Sequence, residues 1–175
     1  MKLFHLSDLH IGKRVNEFSM IEDQKYILKR ILDLAEEEKP DGIILAGDIY
    51  DKQIPSAEAV QVFDEFITRL AGRAIPVFII SGNHDSAERL AFGGRLLNSR
   101  GIYLSPVYDG SVTKIPLKDQ YGTVWIHLLP FIRPSTVRHV FENEADLVTD
   151  VQTAAETVIR HMEIDLKDRN ILVAH

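Results

Sequence analysis

Two apolar runs too short to be helices, Gly42 to Ala46 (Gly-Ile-Ile-Leu-Ala) and Ile75 to Ile80 (Ile-Pro-Val-Phe-Ile-Ile), constrain this chain more than any other feature. Such runs read as strands buried on both faces, the condition of a parallel sheet covered by crossover helices. Pro76 stands near the start of its run, where a missing N–H is tolerated. The flanking segments have helical periodicity. From about Phe18 to Lys39, Ile21, Leu28, Ile31, Leu32 and Ala35 share one face, Glu36, Glu37 and Glu38 lie outside it, and Pro40 stops the helix. Ser56 is placed to cap a second helix, running to about Ala71 with Val60, Phe63, Ile67 and Leu70 at core spacing. With a leading strand over Lys2 to Ser7, the order becomes strand, helix, strand, helix, strand. That order implies right-handed crossovers, and ligands on such sheets gather beyond the carboxyl ends of the strands.

The second half changes character. Ile102 to Leu104, Ser111 to Ile115 and Tyr121 to Leu129 read as short strands broken by Asp109-Gly110 and Tyr121-Gly122, which suggests an antiparallel portion or a second sheet. A helix through Val151, Ala154, Ala155, Val158, Ile159 and Met162 feeds a final strand from Ile171 to His175. At 175 residues, with no repeat, low-complexity tract or linker, one domain is expected. The 20 Lys and Arg against 26 Asp and Glu give a net charge of −6, so a nucleic-acid partner would need a local basic patch. The absence of Cys excludes disulfides, thiolate metal sites and cysteine nucleophiles, and leaves His, Asp, Glu and Asn as metal ligands. No signal-peptide core and no bilayer-length apolar run is present, so a cytoplasmic protein without membrane contact is expected.

The polar residues follow the strands. Asp8-Leu9-His10 follows the first, Gly47-Asp48-Ile49-Tyr50-Asp51 the second, Gly82-Asn83-His84-Asp85 the third, and His175 the last. Each group alone is ordinary loop chemistry. Their recurrence at one edge of a sheet is not. Oxygen and imidazole donors without sulfur suit Mn, Mg, Fe or a Zn pair. Asp8 and His10 can grip one ion, Asn83 and His175 a second, and Asp48 has two oxygens with which to bridge them. Such a pair can orient a phosphoryl oxygen and activate water. His84 is placed to donate a proton to a leaving alkoxide. Asp51 and Asp85 are expected behind these residues, orienting imidazoles or waters.

In this order and spacing, Asp-x-His, Gly-Asp-x-x-Asp and Gly-Asn-His-Asp resemble the calcineurin-like metallophosphoesterases. Leu6-Ser7-Asp8-Leu9-His10-Ile11-Gly12-Lys13, Ile54-Pro55-Ser56-Ala57 and Leu129-Pro130-Phe131-Ile132-Arg133-Pro134 are similar to the SbcD-type branch of that family. The resemblance implies an α/β sandwich of two mixed sheets flanked by helices. It implies Asp8 and His10 on one metal, Asp48 bridging, Asn83 with His175 on the other, and His84 as the catalytic histidine. Two divalent ions, Mn foremost, DNA as substrate, an SbcC-like ATPase partner, homodimerisation of the full-length protein and a role in DNA repair and recombination are further implications. The family pattern continues into a Gly-His-x-His that this sequence does not reach, and capping and ATPase-docking regions are absent as well. The chain is therefore expected to be an N-terminal, C-terminally truncated part of a nuclease domain, with partial metal occupancy and little activity of its own.

Lys13, Arg14, Arg133 and Arg138 flank the site in sequence and are candidates for phosphate contact, against ordinary solvated charge. His5 is expected to be packed or hydrogen-bonded within its strand. His127, His139 and His161 are read as structural or surface residues, and Phe63 and Phe66 as core. Two other functions compete: a non-catalytic docking subunit of the same fold, and a metallophosphatase acting on a phosphoester other than DNA. A dinucleotide binder fits poorly, because Asp-Leu-His and not a Gly-rich turn follows the first strand.

Overall fold

In the computed structural model, which describes residues 1–175, the chain begins with β1 (Leu3–Leu6) and a small ribbon of β2 (Arg14–Val15) and β3 (Phe18–Ser19). There follow α1 (Ile21–Glu38), β4 (Gly42–Ala46), α2 (Ala57–Ala71), β5 (Val77–Ile80) and the short α3 (Ala87–Leu90) and α4 (Gly94–Leu97). The second half comprises β6 (Ile102–Leu104), β7 (Thr113–Asp119), β8 (Gly122–Leu128), α5 (Pro134–Val140), α6 (Val151–His161) and β9 (Arg169–Val173). One sheet has the order β1-β4-β5-β6 and is parallel throughout. The other, β7-β8-β9, pairs β7 with β8 antiparallel and β8 with β9 parallel. The architecture is the α/β sandwich implied by the sequence, except that only the second of its two sheets is mixed.

The wholly apolar strands owe their burial to this sandwich. Every residue of β4 and β5 is buried, and their two-residue side-chain period divides the contacts. Ile43, Leu45, Val77 and Ile79 meet Leu28, Leu32, Phe63 and Phe66 of α1 and α2 on one side. Ile44, Ala46, Phe78 and Ile80 meet Val124, Ile126, Leu128 and Val173 of the second sheet on the other. A third cluster, including Leu129, Val137, Ala154 and Val158, joins α5 and α6. The helix ends follow from local chemistry. Ser56 Oγ accepts the N–H of Ala59 at the start of α2, and Asp150 and Thr153 form a reciprocal capping box on α6.

Several boundaries differ from the sequence expectation. The first helix starts at Ile21 because Asn16 and Glu17 adopt φ of +47° and +68°, turning Phe18 and Ser19 back against Arg14 and Val15. The second sheet's hairpin turns at Asp119–Gly122, which makes β7 longer than Ser111 to Ile115. The last strand ends at Val173, and so Ala174 and His175 leave it. His5 is exposed and unbonded, a correction to its expected packing: β1 is the outermost strand, and its face toward the second sheet is left partly open at His5.

Two outcomes test this construction. Phe78 has no exposed surface and stacks on Tyr103 with ring centroids 5.5 Å apart, so Phe78→Ala lowers unfolding free energy in urea by about 3–5 kcal/mol. Asp119 joins Arg169 at 2.7 Å and the amino terminus at 3.5 Å, and the Arg169 guanidinium holds its carboxyl far below the usual range. A depressed native pKa gives stability that is present above the unfolded value of about 3.9 and is lost as pH falls toward the native one. Asp119→Asn therefore flattens the acid limb of stability against pH below about 4, read from thermal melts.

Candidate metal centre

The loops after β1 and β4 do not diverge at the edge of the sheet; they stay zipped. Asp8 N–H donates to Gly47 O at 3.1 Å, His10 N–H to Asp48 O at 2.9 Å, Ile11 N–H to Ile49 O at 2.9 Å, and Asp51 N–H back to Ile11 O at 3.2 Å. Within this irregular extension Asp8, His10 and Asp48 take positive φ of 58°, 43° and 50°. Non-glycine residues are uncommon there, and each such residue carries a cost of about 1–3 kcal/mol when the surroundings force it. Here the forced backbone turns three candidate ligands toward one space.

Asp48 is 3% exposed and central. Its Oδ1 accepts the backbone N–H of His84 at 2.8 Å. Its Oδ2 lies 3.6 Å from His10 Nε2 and 3.5 Å from His175 Nε2, as a bridging oxygen would. The His175 ring is fixed from behind: Nδ1 sits 2.8 Å from Ala46 O, so Nδ1–H donates and Nε2 points into the site. There Nε2 faces Asp48 Oδ2 at 3.5 Å and Asn83 Oδ1 at 3.2 Å. A carboxylate, an amide oxygen and an imidazole nitrogen thus converge, a donor set that fits a hard or borderline divalent metal. Two groups have ligand atoms within 4.8 Å of one another, His10-Asp48-His84 and Asp8-Asp48-His175, and Asp48 belongs to both. Asp8 Oδ1 is also 3.8 Å from His10 Nε2. A hydrogen bond from the Ser7 hydroxyl, the largest influence, holds the Asp8 carboxyl below the usual carboxylate range against partial desolvation, with smaller help from the imidazoles of His175, His10 and His84.

His84 meets His10 edge to face, with centroids 4.8 Å apart. Its Nδ1–H donates to Asp51 O at 3.0 Å, leaving Nε2 free at the mouth of the site. That backbone bond, followed by the carboxylates of Asp48, Asp51 and Asp85, raises its pKa, which favours a proton donor near neutrality. Asp51 Oδ1 lies 3.6 Å from Nδ1 of His10, which is buried and makes no hydrogen bond.

Asp85 departs from its expected role. It is 6% exposed and its carboxylate accepts three backbone N–H groups, from Gly82 at 2.9 Å, Ile49 at 3.0 Å and Tyr50 at 2.9 Å. It staples two loops and orients no imidazole. Arg138 is engaged elsewhere in part: its guanidinium donates through one nitrogen to Val148 O at 2.7 Å, tying α5 to the segment behind it. Lys13 and Arg14 lie exposed at the base of the β2–β3 ribbon, where Arg14 donates to Glu17 O, and Arg133 is exposed at the start of α5.

Sequence reasoning missed two glycines. A Cβ on Gly82 would fall 2.8 Å from Asp48 Cγ and closer still to its Oδ1 and N; one on Gly47, at φ +86°, would meet His175 Cγ at 2.6 Å. The signal was in the sequence, since each precedes a candidate ligand in its motif. Their required absence of a side chain is visible only in three dimensions.

A sandwich with imidazole and carboxylate donors converging at the carboxyl ends of parallel strands is the arrangement of a divalent-metal site on an α/β fold. Residues 1–175 match the calcineurin-like phosphoesterase family, and the chain belongs to it. It is 35% identical over 178 residues to the SbcD component of the SbcCD nuclease of Staphylococcus epidermidis, an alignment covering all of this chain and 46% of that protein. The chain thus spans less than half the length of that relative. The family uses divalent metals. No helix is long and apolar enough to cross a membrane.

Gly82→Ala is expected to displace Asp48 and weaken Mn binding by about 10- to 100-fold in a calorimetric titration, with the far-ultraviolet circular dichroism unchanged. Wild-type affinity in that variant would contradict a bridging Asp48.

Proposed function

We propose that this protein is a two-metal phosphodiesterase that hydrolyses the DNA backbone, acting in the cytoplasm as the nuclease component of a DNA repair and recombination complex with an SbcC-like ATPase and a second copy of itself. The observation that carries the chemistry is the placement of Asp48 Oδ2 between His10 Nε2 and His175 Nε2, at 3.6 and 3.5 Å. DNA as substrate and the ATPase as partner are supported by the similarity to the staphylococcal nuclease component.

Asp8 and His10 would hold one ion, Asn83 and His175 the other, with Asp48 shared between them; Mn would suit these donors, with Mg, Fe and Zn as alternatives. The ions, when bound, supply water at lowered pKa and neutralise the phosphoryl oxygens. The rest is the work of the chain. The Ala46 carbonyl fixes the tautomer of His175, and Asp51 stands behind His10. His84, held through Nδ1 by the Asp51 carbonyl, presents Nε2 to the leaving oxygen and protonates it as the P–O bond breaks.

Proton donation matters most when the leaving group is a poor one. His84→Ala is therefore expected to slow DNA hydrolysis by about 10²–10⁴-fold and to slow bis(4-nitrophenyl) phosphate, whose nitrophenolate leaves unaided, far less, with Mn affinity retained. Equal losses on both substrates would remove His84 from the acid role. A wild-type enzyme that cleaves the nitrophenyl diester but leaves single- and double-stranded DNA intact with Mn would overturn the DNA reading in favour of another phosphoester.

A further inference from the structure

Two clefts lie beside the metal donors, one bordered by Asp51 behind His10 and the other by Asn83. One, of about 350 Å³, is bounded by Ile11, Arg14, Asp51, Lys52 and Ile54; the other, of about 280 Å³, by Gln53, Asn83, Ser86, Tyr108 and Arg133. Segment 51–54 is the ridge between them: Asp51 and Lys52 face the first, Gln53 the second. The site straddles that ridge, since Asp51 backs His10 on one side and Asn83 meets His175 on the other.

The charges on the two walls are unequal in one respect. The acids are engaged: Glu58 lies 3.6 Å from Lys25, and Glu88 accepts the Ser86 hydroxyl at 2.8 Å. Of the cations, Arg14 in the first cleft is held by the Glu17 carbonyl, and Arg133 in the second is near enough to Glu88 to help lower its carboxyl's pKa. Lys52 and Arg133 are nevertheless exposed and make no direct hydrogen bond or ion pair, unlike Arg138, which is engaged by a carbonyl. On a chain of net charge −6, cations that make no direct bond and line the two clefts beside the site are places for anions.

We propose that Lys52 and Arg133 are the specificity-determining residues of this site, each binding one of the phosphates that flank the scissile one. The substrate is then a polynucleotide with at least three consecutive phosphates, and neither a cyclic nucleotide nor a phosphorylated side chain offers that pattern. Gln53, uncharged and on the ridge, is placed to donate to the sugar-phosphate between Arg133 and Asn83. This assignment rests on the phosphodiesterase reading above and adds to it how the protein distinguishes a polymer from a small diester.

The test uses the protein at its natural length. With metal removed, a fluorescein-labelled single-stranded oligonucleotide is titrated by anisotropy across a KCl series. Lys52→Gln and Arg133→Gln are each expected to weaken binding by about tenfold and to reduce the slope of log K against log[salt] by about 0.7, while Arg133→Lys keeps the slope. With Mn, single-turnover cleavage is measured on oligonucleotides bearing one neutral methylphosphonate next to the cleaved position. The wild type should lose about tenfold for substitution on either side, and Arg133→Gln should be indifferent on one side, Lys52→Gln on the other. Variants with wild-type affinity, salt slope and methylphosphonate sensitivity overturn this inference and leave DNA hydrolysis standing. Failure of the wild type to cleave any oligonucleotide overturns the phosphodiesterase-on-DNA reading itself.

Discussion

A buried carboxylate with no cation beside it holds this centre together. Asp85 accepts N–H groups from Gly82, Ile49 and Tyr50, so the loop leaving β5 is bound to the loop leaving β4. Burial of a charge is tolerable when its lone pairs are filled by several donors, and backbone N–H groups fill them without introducing an opposite charge that would compete for the ligands. Asp48 repeats the device on a smaller scale by accepting His84 N–H through Oδ1 while Oδ2 faces inward. Together the two carboxylates fix the relative positions of Asp48, Asn83 and His84 before any metal arrives. The zipped extension between Asp8 and Asp51 adds the remaining side, and offsets three left-handed residues with backbone hydrogen bonds that a normal loop would give to water.

The same arrangement brings the ligand atoms close together. Oxygens of Asp8, Asp48 and Asn83 and nitrogens of His10 and His175 approach one another at 3.2–3.8 Å. A metal bound by such a cluster would be coupled to stability, because the unfolded chain offers no comparable site. Glycine at 47 and 82 answers the same crowding. Any side chain there would push on His175 or Asp48, the two groups that must come closest.

Much of this is legible in the sequence because the informative signals are local. Apolar runs of β4 and β5, the helical spacing of α1 and α2, and the placement of Asp8, His10, Asp48, Asn83, His84 and His175 after strands all follow from residue order. What escapes depends on partners distant in the chain. Asp85 reads as an imidazole partner because its motif neighbour is a histidine, yet its carboxylate turns to backbone 35 and 36 residues away. Arg138 reads as available since it follows Arg133 closely, but α5 aims it at Val148. The α3 and α4 turns are four residues each, too short for periodicity to register. The ribbon of β2 and β3 displaces the start of α1 through backbone angles at Asn16 and Glu17 that no hydrophobic pattern encodes.

Ligand chemistry and substrate choice are separable in this architecture. A bridging carboxylate flanked by imidazoles treats any phosphoryl group alike, and the fold that delivers it is shared by enzymes with different substrates. Discrimination has to come from what lies beyond the ions, and there the chain is asymmetric in a useful way: the segment that carries Asp51 continues directly into Lys52 and Gln53, which form the ridge between two clefts. Three consecutive residues thus back an imidazole, offer a cation to one side and an amide to the other. Asp51 and Lys52 share one segment, so the position of that cation relative to the imidazole beside Asp51 is set by backbone geometry, whereas Arg133 is delivered separately by the start of α5. Under the proposed assignment a polymer of regular phosphate spacing can meet both cations at once, which a lone phosphoester cannot.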